Sequence, residues 1–77
     1  MMAVNKYEAR LIKEIHEYLK TYGPTSARAI TEDMNQRHKG NLTVHLVVGL
    51  LKKEENENRI VKTEVLGKMI IWGTTLE

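Results

Sequence analysis

The chain has 77 residues, with 12 Lys and Arg against 10 Asp and Glu, a net charge of +2, one Pro, and neither Cys nor Phe. A chain this short buries only about 60 to 65% of the surface its unfolded form exposes. That suffices for one small core but leaves no room for a deep substrate cleft beside it, so the reading is a single domain over residues 1–77 and not an enzyme. Without Cys there can be neither disulfides nor thiolate metal ligands, which points to a reducing compartment and a core of plain apolar side chains.

From about residue 5 to residue 22, apolar side chains recur at Tyr7, Leu11, Ile12, Ile15, Tyr18, Leu19 and Tyr22, with Lys6, Arg10, Lys13, Glu14, Glu17 and Lys20 between them. This spacing of three and four predicts a first amphipathic helix. Gly23-Pro24 ends it, because Gly suits a left-handed cap and Pro disfavours helix at the residue before it. Thr25 and Ser26 then offer a side-chain oxygen to orphan amides, and Ala27, Ala29, Ile30 and Met34 give a second helix over about residues 26–36. The polar string Gln36-Arg37-His38-Lys39-Gly40-Asn41 reads as a turn that delivers Asn41 as the next N-cap.

A third helix is expected over about residues 42–56, with Leu42, Leu46, Val47, Leu50 and Leu51 on one face and Glu54 to Asn58 fraying from its end. The segments 59–66 and 69–75 are rich in β-branched residues and flank Gly67-Lys68, the composition of a two-residue type II′ turn. A hairpin over about residues 59–75 follows, pairing Leu66 with Met69, Val65 with Ile70 and Thr63 with Trp72, with Trp72 in the core.

The order helix, short helix, helix, hairpin resembles the winged helix-turn-helix family. The stretch Pro24-Thr25-Ser26-Ala27-Arg28-Ala29-Ile30 is similar to its entry to the second helix, the segment from Thr43 to Lys53 to its recognition helix, and Arg59 through Trp72 to its wing. The resemblance covers about residues 5–75 and implies an α+β fold of three helices and a two-stranded wing. It also implies double-stranded DNA as partner and a role in transcription regulation, with the third helix in the major groove. Where the family usually has Gly before the wing, this chain has Glu55-Asn56-Glu57-Asn58.

On that reading Asn41, Thr43 and His45 are the candidate hydrogen-bonders to bases, and Val44 the candidate contact to a thymine methyl. Arg28, Arg37, Lys39 and Lys53 are the candidate phosphate contacts, with His38 among them in the basic turn and Lys68 at the hairpin tip near the minor groove. Five cationic contacts imply a log-log salt slope of about −4.5. The outward positions Val44, Val48 and Gly49 carry no base-reading group, so binding is expected to be mainly electrostatic.

His16, His38 and His45 lack the spacing and partners of a metal site, and no cofactor is expected. The longest apolar run, Leu42 to Leu51, falls short of the about 18 residues of a membrane span, and Met1 to Tyr7 lacks a leader pattern, so a cytoplasmic protein without a membrane partner is expected. Tyr7, Tyr18, Tyr22, Val65, Met69, Ile70 and Ile71 exceed what one small core can cover, which predicts a homodimer. The competing reading is a protein-binding module that uses the third helix or the hairpin as its docking surface.

Overall fold

The computed structural model describes residues 6–38 and 40–76. Along the chain run α1 (Lys6–Tyr22), β1 (Thr25–Ser26), α2 (Ala27–His38), α3 (Val44–Asn56), β2 (Ile60–Leu66) and β3 (Met69–Thr74). The three strands form one antiparallel sheet in the order β1-β3-β2. The apolar stripe of each helix turns inward: Leu11, Ile15 and Leu19 from α1, Ile30 and Met34 from α2, and Val47, Leu50 and Leu51 from α3 meet Ile60 and Trp72 of the sheet. No helix among the described residues is long and apolar enough to cross a membrane.

The three helices and the hairpin are those the sequence predicts, and their ends differ in informative ways. α2 runs to His38, two residues beyond the expected end, where Arg37 and His38 lie in its last turn and favour the negative end of the helix dipole. α3 begins only after Thr43, which caps it in place of Asn41: the Thr43 backbone is extended and its hydroxyl accepts from the Leu46 amide at 3.1 Å. Asn35 causes the delay. Its side-chain oxygen accepts from the Leu42 amide at 2.8 Å and its amide donates to the Leu42 carbonyl at 2.9 Å, so Leu42 is held as if by a neighbouring strand and cannot join the helix.

The far end of α3 does not fray at Glu54. Glu54 is helical and buried, and Asn58 adopts φ 61° while its amide bonds the Glu55 carbonyl and that of Arg59 bonds the Glu54 carbonyl. This is a Schellman closure, with Asn in the left-handed position where Gly is commonest. It turns the chain directly into β2.

Gly67 has φ 61° and Lys68 does not take a positive φ, as a type II′ turn requires, and Leu66–Met69 and Val65–Ile70 pair as expected. Beyond them the expected Thr63–Trp72 pair is replaced by Lys62–Trp72, because a bulge at Thr63 shifts the register by one residue. β1 has no counterpart in the sequence reading. Thr25 and Ser26 pair with Trp72 and Ile71 while Ser26 also accepts from the Ala29 amide at 3.2 Å, so the segment read only as a helix cap serves the sheet as well.

Candidate nucleic-acid interface

With Val47, Leu50, Leu51 and Glu54 facing inward, the 100° step of a helix turns His45, Gly49 and Lys52 outward and sets Val44 and Val48 on the flank beside the wing. Thr43, Val44, His45, Gly49 and Lys52 are exposed, and none of them is acidic. Between this flank and the hairpin lies an open cleft of about 230 Å³. Val44, Val48, Met69, Ile70 and Trp72 form its apolar part, and Arg28 from the first turn of α2 and Lys68 from the wing tip line it as cations.

Of the residues expected to touch DNA, the fold therefore brings Arg28, Val44 and Lys68 together, with His45 and Thr43 on the adjoining exposed face. The Thr43 hydroxyl is already engaged as the cap of α3. Asn41 is exposed in the turn before α3. Lys39 lies outside the described residues.

Arg37 follows Arg28 by nine positions, about two and a half helical turns, and so points to the opposite side of α2. There its Nε lies 3.0 Å from Asp33 Oδ2 and its Nη2 3.9 Å from Glu14 Oε1. His38 hydrogen-bonds the same Glu14. Lys53, on the other flank of α3, reaches Glu8 of α1 at 3.4 Å. These three side chains are paired to acids on α1 and α2. Arg28, Lys52 and Lys68 form no ion pair among the described residues, and all three lie on or beside the face that α3 and the wing share.

A second polar cluster was not foreseen. His16 is buried, with Nε2 2.7 Å from Glu54 Oε1 and Nδ1 2.6 Å from the Thr74 hydroxyl. Arg59 meets Glu54 with two parallel contacts, Nε to Oε1 at 3.0 Å and Nη2 to Oε2 at 2.7 Å. The forked Arg59 hydrogen bonds hold the Glu54 carboxyl below its ordinary value; burial opposes this and the His16 hydrogen bond reinforces it. Glu54 sits one turn beyond Val47, Leu50 and Leu51 on the buried stripe of α3. A carboxylate on an apolar stripe requires a buried partner, and that was the available signal.

The cluster links α1, the end of α3 and β3, and it fixes how the wing departs from the helices. Its groups are engaged with one another, so it is a structural joint. Among the described residues no three His, Asp or Glu side chains gather as a metal ion requires.

No protein-family model matches the chain, and no curated protein matches it in sequence. Among solved structures it is similar to the crystal structure of the apo-Zalpha of zebrafish PKZ, with a TM-score of 0.76 and 18% identity. The match covers 92% of this chain and all of that one. At this identity the likeness concerns the fold, and the fold is a winged helix: three helices followed by an antiparallel hairpin.

Proposed function

We propose that this chain is a small double-stranded-DNA-binding protein that lays α3 in the major groove with the wing alongside, and that it acts in transcription regulation. The observation that carries the reading is the distribution of charge. Arg37, His38 and Lys53 are paired to acids, whereas the outward face of α3 is free of carboxylates and is bordered by unpaired Arg28, Lys52 and Lys68. A groove between two phosphate strands attracts such a face, and an exposed helix has the width to enter it. The similarity to a Zalpha, a winged helix covering nearly the whole chain, supports the same reading at the level of the fold.

Three unpaired cations imply a log-log salt slope of about −2.7, shallower than the about −4.5 expected when five cations are counted from sequence alone. Fluorescence anisotropy on a labelled mixed-sequence duplex across about 50 to 200 mM salt measures it. The R28A/K68A variant should lower affinity for all sequences alike and bring the slope to about −0.9. No binding at the lowest salt, or an unchanged slope in that variant, overturns the proposal. A protein-docking role is the second reading, and the apolar lining of the cleft favours it.

A further inference from the structure

The cleft between α3 and the wing has an odd chemistry for a DNA-facing surface. Val44 and Val48 line its helix side on the flank of α3, and Met69 and Ile70 face them from the hairpin, Val48 and Ile70 also packing against the core, with Arg28 and Lys68 as the cations of the lining. Val44 and Met69 are 39% and 48% exposed, so their methyl groups are available at the surface and not spent on the core. Base edges in the major groove present donors, acceptors and one apolar group, the C5-methyl of thymine. An apolar flank placed there can distinguish base pairs through that methyl and through nothing else.

We propose that this cleft reads the 5-methyl groups of thymine, so that the protein selects A·T-rich duplex by apolar contact while Arg28 and Lys68 hold the neighbouring phosphates. The inference rests on α3 entering the major groove. The dimensions agree with it. Residues one turn apart, as Val44 and Val48 are, have Cβ atoms about 5–6 Å apart. Successive bases of a strand rise about 3.4 Å, so the pair spans between one and two base steps and can cover two nearby methyls. The cations suit this occupant too, since a base edge in the groove is always flanked by phosphates.

The test changes the DNA first and then the protein at one position. Affinity is compared for an A·T-rich duplex, the same duplex with deoxyuridine in place of thymidine, a G·C duplex, and that duplex with 5-methylcytosine. Each methyl removed from an apolar contact should weaken binding about fourfold, and two should weaken it about fifteenfold, with the methylated G·C duplex regaining the same factor per methyl. V44A, at an exposed helix position, should keep the melting temperature and salt slope while losing much of the thymine preference. Equal affinity for the thymidine and deoxyuridine duplexes, with binding otherwise intact, overturns the methyl reading alone. Absence of binding to every duplex overturns the DNA reading beneath it as well. Capture of an acidic, leucine-anchored peptide that V44A abolishes, without any thymine preference, assigns the cleft to a protein and likewise overturns the proposal.

Discussion

Burying a carboxylate costs several kcal/mol unless partners meet it, and Glu54 meets three side-chain contacts: two from the Arg59 fork and one from His16. Because a carboxylate only accepts, His16 Nε2 carries the proton toward it, while Nδ1 lies 2.6 Å from the Thr74 hydroxyl. E54Q keeps the shape but removes the charge and turns one accepting oxygen into an N–H group, so the three contacts weaken or are lost and the cost should be about 2 kcal/mol. For a domain of this size that lowers the melting temperature by about 8–16 °C. The pH profile adds a sign. Glu54 titrates below its ordinary 4.5, so its contribution is complete above that pH and is lost as pH falls through the folded value. Thermal melts between about pH 3 and 7 should show the wild type losing stability on the acid side and E54Q losing measurably less. Neither His16 nor Glu54 has a local signature for this joint. Their partners lie 38 and 58 positions from His16, and only the burial forced by helix period hints at a need for them.

At the scale of elements, the helices were legible because their apolar spacing is written locally, and the hairpin because Gly67-Lys68 sits between β-branched runs. What escaped depends on contacts across the sequence. Thr43 outcompetes Asn41 as cap because Asn35 pins Leu42; T43A should therefore cost about 1 kcal/mol, a fall of about 4–8 °C on thermal melting, whereas N41A should cost little. The bulge was equally hidden. A Cβ at Gly73 would lie 2.8 Å from Thr63 Cγ2, so the bulged Thr63 would have to shift, while Pro24 Cγ at 3.4 Å would be in ordinary contact. G73A should destabilise by about 1–3 kcal/mol through overpacking. T63S deletes the clashing methyl, and the G73A/T63S double variant should recover part of the loss. Additive losses in that thermodynamic cycle would mean that Thr63 and Gly73 do not press on one another.

Over the whole molecule, the dimer expected from the sequence rested on seven apolar side chains, and the structure distributes them unevenly. Tyr18, Ile70 and Ile71 are half-buried within the domain itself, Tyr18 lying against Tyr22 with ring centroids 4.8 Å apart. Tyr7 and Tyr22 stay open at opposite ends of α1, about 22 Å apart along its axis, and Val65 and Met69 lie on the wing. β2, the longer of the two edge strands, is broken by its bulge and carries Lys62 and Glu64, features that discourage pairing with a second sheet. A wing that approaches DNA also cannot be covered by another copy at the same residues. The stoichiometry is therefore expected to show in electrostatics. One copy presents three unpaired cations on the face shared by α3 and the wing and a slope of about −2.7, whereas two copies engaged together on one duplex double the released counterions to about −5.4. Sedimentation equilibrium of the free protein fixes the starting species. A mass of 8.9 kDa over a wide concentration range together with the shallower slope is the expected outcome. A dimer mass with the steeper slope would mean that surfaces dispersed over the monomer join when two chains meet, and the recognition unit would then be two half-sites read about one helical turn apart.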